Sequence, residues 1–329
     1  MLFFPMLMIS LMMILISNSW FSMWMIMEIN LLSFIMLLIF DKNLNNDLLM
    51  NYFLIQSFNS YLFLMSSFML NYFNNMIMFF FILNFSLLTK MGMPPFYYWY
   101  LKMMKNLNWY NLIYMSTFQK IIPLYTFLML MNFNLIEVML LNFMILMFYS
   151  IFLSLIGLNQ MNLKLLMSYS SIIQMSWIII IMYMNEYYSM MYYLIYLLIS
   201  LNMMLMFNMM NLNNLNDLMY MKMKNNLMYL YYMFMMFSLS GIPPMFGFLM
   251  KWLSLQLMTN FLNFYLLMML LLSSLVSMFF YMRMMFNNFL NYNFSMKINL
   301  KFINYFEINF NFFLLNWIML IMLLFYEII

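Results

Sequence analysis

Charge is missing from this chain for about twenty residues at a time, and that spacing limits its fold more than any motif does. A helix needs about 20 apolar residues to cross the hydrocarbon of a bilayer. Cutting at polar clusters leaves eleven such stretches, near 2–17, 20–40, 48–70, 74–91 with a broken continuation to 104, 108–131, 135–156, 163–183, 187–210, 226–257 (broken near 241–247), 261–286 and 309–327. Between them lie Asn-rich loops such as Asp41-Lys42-Asn43-Leu44-Asn45-Asn46-Asp47. Only 6% of the 329 residues are charged and 68% are hydrophobic, whereas a soluble domain carries about 25% charged residues. Such a chain cannot cover a water-facing surface. In lipid every backbone group must be satisfied within the protein, so the expected class is all-α, a polytopic membrane protein of eleven transmembrane helices.

The basic residues give the spans a direction. If the first loop is the one after span 1, the even loops hold Lys42, Lys102, Lys105, Lys164, Lys222, Lys224, Arg283, Lys297 and Lys301, and the odd loops hold none. The positive-inside rule then places the N-terminus and the even loops on the side of insertion and the C-terminus opposite. The first apolar run has no basic flank and no small-residue cleavage site, so no cleavable signal is expected. Ser17-Asn18-Ser19 suits a cap for the second helix.

Codon-level bias points to an origin. The chain has 55 Met, 39 Phe and 26 Tyr, but 4 Gly, 6 Pro, one Arg and no Ala. The enriched types have AT-rich codons and the depleted ones GC-rich codons. A gene in an AT-rich mitochondrial genome explains both, with the insertion side then the matrix. With no cysteine and no histidine, disulfides and haem, iron–sulfur and zinc sites of the usual kinds are excluded within the chain. Four glycines cannot build a nucleotide-binding loop. No nucleic-acid partner is expected.

Chemistry concentrates at two interruptions. Lys90-Met91-Gly92-Met93-Pro94-Pro95-Phe96 puts a lysine just before a double proline, which breaks a helix. The pattern recurs as Gly241-Ile242-Pro243-Pro244, with Lys251 after it. Lysine at bilayer depth costs roughly 2.5–3.5 kcal/mol on insertion scales, and broken backbone there is tolerated only inside protein or beside water. Four charges sit well inside the bilayer, Glu28, Lys90, Lys120 and Lys251, whereas Glu137 and Glu327 fall at span ends. A lysine near a span end, as Lys90 is, can simply snorkel to the headgroups, and a Glu–Lys pair can be a structural lock. Two lysines beside helix breaks exceed what anchoring needs. A lysine withdrawn from water gives up its charge more easily, and a nearby carboxylate restores it, so this set can load and release protons. Thr117, Gln119, Ser168, Ser170, Ser171, Gln174 and Ser240 are candidate bridges, although each alone reads as a helix-packing polar group. The run Phe96-Tyr97-Tyr98-Trp99-Tyr100 reads as an interfacial belt.

With this topology the two broken spans run in opposite directions, which fits an inverted repeat. Residues 1–131 hold the first five helices, 132–286 the second five, and 287–329 a loop and a final span.

These residues resemble a family, the mitochondrially encoded subunit 2 of NADH–ubiquinone oxidoreductase, an antiporter-like membrane-arm subunit of respiratory complex I. The resemblance lies in Ser17-Asn18-Ser19-Trp20, Met27-Glu28-Ile29-Asn30-Leu31-Leu32-Ser33-Phe34, the stretch from Lys90 to Phe96, Thr117-Phe118-Gln119-Lys120-Ile121-Ile122-Pro123-Leu124, Ser170-Ser171-Ile172 and the stretch from Leu239 to Trp252. It implies one of the modules that translocate protons across the mitochondrial inner membrane, driven by electron transfer from NADH to ubiquinone in other subunits. It implies that Glu28 pairs with Lys90, that Lys120 is the central lysine, and that Lys251 belongs to the second break. It further implies that this chain binds no cofactor, the NADH, FMN, iron–sulfur and ubiquinone sites being in partner subunits. The implied partners are other membrane-arm subunits and lipids such as cardiolipin. The family usually has Ala-Pro-Phe-His-Phe-Trp at residues 94–99, and a histidine and then a glycine where this chain has Gln174 and Ser176. Two other readings stay open, a stand-alone cation/proton antiporter and a purely structural subunit.

Overall fold

The structure is a computed structural model that describes residues 3–40, 44–72, 76–131, 136–218, 226–243, 245–259 and 264–290. Among the described residues there is no strand, only an isolated bridge between Asn162 and Asn214. Thirteen α-helices follow in order: α1 (Phe3–Ile16), α2 (Trp20–Ile39), α3 (Asn46–Tyr72), α4 (Met76–Met91), α5 (Tyr98–Asn106), α6 (Trp109–Ser116), α7 (Phe118–Met131), α8 (Ile136–Leu158), α9 (Leu163–Met182), α10 (Glu186–Met210), α11 (Asn226–Ser240), α12 (Phe246–Thr259) and α13 (Phe264–Leu290). Helix occupies each of the first ten stretches expected from the apolar pattern. The eleventh stretch, 309–327, lies outside the described residues, as do Lys42, Lys222, Lys224, Lys297 and Lys301. The chain divides into compact units of Met1–Asn287 and Asn288–Ile329.

Among the described residues six helices are long and apolar enough to cross a membrane by length and composition, Trp20–Ile39 and Leu163–Met182 among them. The bundle is apolar outside, and its interior is an apolar core with polar side chains set into it. Ile16, Phe58, Phe148 and Phe279 face outward, while Asn30, Gln56, Ser170, Ser171 and Lys120 are buried. An apolar exterior has no penalty in lipid, and interior amides and hydroxyls bond across helices, each such bond stabilising by about 0.6 kcal/mol. α9 is buried along nearly its whole length and packs against α5, α8, α10 and α12. It is the axis of the molecule.

Helix ends follow local chemistry. Ser19 caps α2 by accepting from Ser22 N at 3.2 Å, as its sequence suggests. Gly92, with φ of 68°, closes α4. Its N–H bonds Thr89 O, and Met93 N bonds Leu88 O at 2.8 Å, the pairing of a left-handed helix terminator. Asn211 closes α10 in the same way.

One expectation needs correction. The stretch 108–131 was expected to be a single span, with two discontinuous helices in the chain. The structure has a third interruption, at Thr117 between α6 and α7. Pro123 inside α7 lacks the N–H that would bond Gln119 O, which weakens the first turns of that helix. Thr117 O is instead taken by Lys120 N at 3.1 Å and by the Tyr193 hydroxyl at 3.0 Å.

Loops 4, 6 and 8 meet at one end of the bundle. Lys164 donates to Leu107 O at 2.6 Å. Leu163 N bonds Asn213 O, and Leu215 N bonds Met161 O, both at 2.9 Å. Arg283 of α13 donates to Leu158 O and Gln160 O, closing the end of α8.

Candidate functional site

The first break sets Lys90 in place. The carbonyls freed in the last turn of α4 are satisfied by side chains as well as by the turn. Trp99 Nε1 donates to Thr89 O at 3.1 Å, and Gln56 Nε2 donates to Lys90 O at 3.3 Å. A Cβ at residue 92 would sit 2.6 Å from Tyr100 Cβ, so the glycine lets α5 return tightly against α4. Lys90 is buried, and its ammonium lies 3.3 Å from Met27 Sδ. Glu28 is the next residue on α2 after Met27. Its Oε1 is buried without a hydrogen-bond partner among the described residues. The contact recorded for the Lys90 ammonium is thus a thioether, with no ion pair to Glu28 among the described residues.

Lys120 follows the Thr117 interruption and is 1% exposed. Its Nζ donates to Ser171 Oγ at 3.1 Å and lies 4.4 Å from the centre of the Tyr100 ring. Ser171 gives its own hydrogen to Ser168 O at 2.8 Å. The Tyr100 hydroxyl, 2.9 Å from Ser171 Oγ, is therefore the donor in that contact. Tyr100 does not belong to an interfacial belt. It is buried, with its face on the central lysine, while Tyr98 of the same run points outward.

Between the two lysines is a cavity of about 20 Å³ lined by Lys90, Lys120, Asn30, Gln56, Tyr100 and Gln119. A polar void of that size holds a water. Asn30 Nδ2 donates to Gln119 Oε1 at 2.9 Å, and Gln119 Nε2 donates back to Asn30 Oδ1 at 3.4 Å. Gln119 was among the expected bridges; Asn30, Gln56 and Tyr100 were not. A lone amide in an apolar span looks the same in sequence whether it packs helices or lines a cavity. Pro123, inside α7, was the available signal that this region opens.

The second break holds Lys251 on α12. Its Nζ reaches back across the break and donates to Ser240 O at 3.0 Å. Gly241 has φ of 77°, and a Cβ there would meet Lys251 Nζ at 2.9 Å. The glycine is thus needed for the turn, and the lysine passes close over it. A second cavity of about 20 Å³ is lined by Lys251, Gln174, Tyr192, Tyr196, Ser238 and Met250. Tyr192 donates to Gln174 Oε1 at 2.5 Å. Of the remaining expected bridges, Ser168, Ser170 and Ser240 give their hydroxyl hydrogens to carbonyls of their own helices, and Thr117 does the same toward Ile113 O.

Two of the three lysines are thus brought together, Lys90 and Lys120 sharing one cavity, while Lys251 lines another. α9 runs through the middle. Such cavities suit groups that exchange protons with confined water. Among the described residues there is no cluster of three or more acidic side chains that could hold a metal ion.

The chain is similar over most of its length to known proteins. The family described as NADH:quinone oxidoreductase/Mrp antiporter, TM matches residues 17–277. The NADH-ubiquinone oxidoreductase chain 2 of Anopheles gambiae is 34% identical over 84% of this chain and 82% of its own. Among solved structures, a chain of respiratory complex I from Thermus thermophilus superposes with a TM-score of 0.77 at 19% identity, over 86% of this chain and 69% of that one. A chain of the membrane-bound sulfane sulfur reductase, an archaeal respiratory membrane complex, gives 0.84 at 15% identity, over 99% and 72%. The interior lysines, the broken helices and these relatives lead to one conclusion: the chain is a multi-pass membrane protein of the NADH:quinone oxidoreductase/Mrp antiporter family, related over most of its length to NADH–ubiquinone oxidoreductase chain 2.

Proposed function

We propose that this chain is a proton-translocating membrane subunit of respiratory complex I in the mitochondrial inner membrane. The observation that carries the reading is Lys120, an ammonium buried in the centre of the bundle and held by a serine hydroxyl and a tyrosine ring. A charge so placed is costly, and its surroundings favour one that comes and goes. Lys90 takes a proton under the field of Glu28, Lys120 receives it through the shared cavity, and Lys251 exchanges it with the other side. Electron transfer from NADH to ubiquinone takes place in partner subunits, and this chain holds neither NADH, FMN, iron–sulfur cluster nor quinone. Its partners are the other membrane-arm subunits and inner-membrane lipids, cardiolipin among them. The chain spans the membrane eleven times, with residues 1–131 and 132–286 as inverted repeats. The N-terminus lies in the matrix and the C-terminus in the intermembrane space.

The family's antiporter members support a second reading, a cation/proton antiporter working alone. A native gel of solubilised mitochondrial membranes, stained for NADH oxidation and read by mass spectrometry, separates the two. We expect this chain in the large NADH-oxidising band. Its migration alone at small size would overturn the complex I reading and leave the antiporter.

A further inference from the structure

The relay has a gap in its middle. Lys90 and Lys120 line one cavity and Lys251 another, and the second cavity does not include Lys120. Tyr196 of α10 is the candidate to bridge that gap: it lines the Lys251 cavity, and α10 packs against α9, which carries Ser171, the acceptor of the Lys120 ammonium. The Tyr196 hydroxyl and that of Tyr281 on α13 both face Ser170. Both hydroxyls are buried with no hydrogen-bond partner meeting ordinary geometry among the described residues. A hydroxyl left unpaired in an interior costs about 1–3 kcal/mol, and its natural partner beside a water-sized cavity is water. Tyr192 and Tyr196, four residues apart, share the α10 face toward that cavity.

We propose that the Tyr196 hydroxyl, with Tyr281 and Ser170 beside it and one or more waters between, carries protons across the gap from Lys120 to Lys251. The proposal rests on the lysine relay described above. In the step, an N–H bond of the Lys120 ammonium breaks and its proton goes to Ser171 Oγ. The Ser171 hydrogen leaves Ser168 O and passes to a bridging water. That water protonates Tyr196 Oη as the tyrosine's own hydrogen moves to water in the second cavity. The last water gives a proton to neutral Lys251 Nζ, where an N–H bond forms. Each hydroxyl and each water gains one proton and loses one, so the net change is one proton moved from one amine to the other.

The test uses the assembled complex in liposomes with Tyr196→Phe, Tyr281→Phe, Tyr232→Phe and Lys120→Met. Tyr232 is a matched control, since its hydroxyl is also buried and without a partner among the described residues but packs beside Phe207 and Tyr229 instead. NADH-driven proton translocation should fall roughly fivefold in Tyr196→Phe, the scale of one hydrogen bond, and stay at the parental rate in Tyr232→Phe. High-resolution density of the parental complex should show water joining Tyr196 Oη to Ser170 and toward Lys251, and lose it in Tyr196→Phe. Parental translocation in Tyr196→Phe, with loss in Lys120→Met, overturns the bridge and leaves the relay standing. Parental translocation in Lys120→Met overturns both. If Tyr196→Phe does not assemble, the parental water density decides, its presence supporting the bridge and its absence overturning it.

Discussion

An ammonium deep in a helix bundle is among the costliest groups a membrane protein can keep, and Lys120 is kept by two contacts that share one serine. Ser171 Oγ accepts from Lys120 and from Tyr100 while donating to Ser168 O. Its capacity is full. Removing it in Ser171→Ala leaves two buried donors unmet, a loss of about 1–3 kcal/mol. We expect a lower unfolding temperature for the subunit in purified complex, together with slowed proton translocation. At Gly92 the constraint is steric. A methyl group there meets Tyr100 Cβ at 2.6 Å on backbone of φ 68°. The left-handed conformation alone costs an alanine about 1–2 kcal/mol, so Gly92→Ala should reduce assembled complex on a native gel more than an alanine placed in a lipid-facing stretch. The lysines and both glycines were legible in sequence because each breaks a rule of apolar helices. Tyr100 was not, since an aromatic beside a span end fits a headgroup belt equally well and only the direction of α5 decides between them.

Helices here are organised by their interruptions. The α4–α5 and α11–α12 breaks are announced by Gly-x-Pro-Pro, and the structure places them where the sequence suggests. The α6–α7 break is quieter. Its only marker is Pro123, six residues further on, and a single proline in a transmembrane helix is often absorbed by neighbours that satisfy the freed groups. Tyr193 is such a neighbour, its hydroxyl on Thr117 O at 3.0 Å. Tyr193→Phe leaves that carbonyl with a backbone bond of helical-turn geometry alone. We expect a stability loss of about 1 kcal/mol, read as a lower melting midpoint. A larger functional loss than this would mean that the interruption also sets the position of Lys120. The placement of Lys251 was legible only in part. Its position beyond the second break was clear, but its return across Gly241 to Ser240 O depends on the fold.

For the whole molecule the charge pattern does more than the motifs. The apolar pattern puts the basic residues on alternate loops, whereas the structure carries Lys102, Lys105, Lys164 and Arg283 on helices α5, α9 and α13; the polar contacts of residues 107, 159–164 and 212–217 gather at one end of the bundle. That end is the proposed matrix side. The chain has no cysteine, so single replacements report on orientation. We expect Lys105→Cys to be labelled by a membrane-impermeant reagent only when the matrix face is opened, and Tyr187→Cys only from the intermembrane-space side. Both residues are exposed. Labelling on the reversed sides would invert the topology.

The central claim is that the Lys120 charge comes and goes during turnover, and proton counting tests it most directly. Protons translocated per electron would be measured in liposomes holding complex with Lys120, Lys120→Met or Lys120→Arg. Arginine keeps the positive charge but does not release its proton. We expect both substitutions to lower the ratio, because a fixed charge serves the relay no better than none. A parental ratio in Lys120→Arg, with a loss only in Lys120→Met, would contradict the relay and make Lys120 a structural charge.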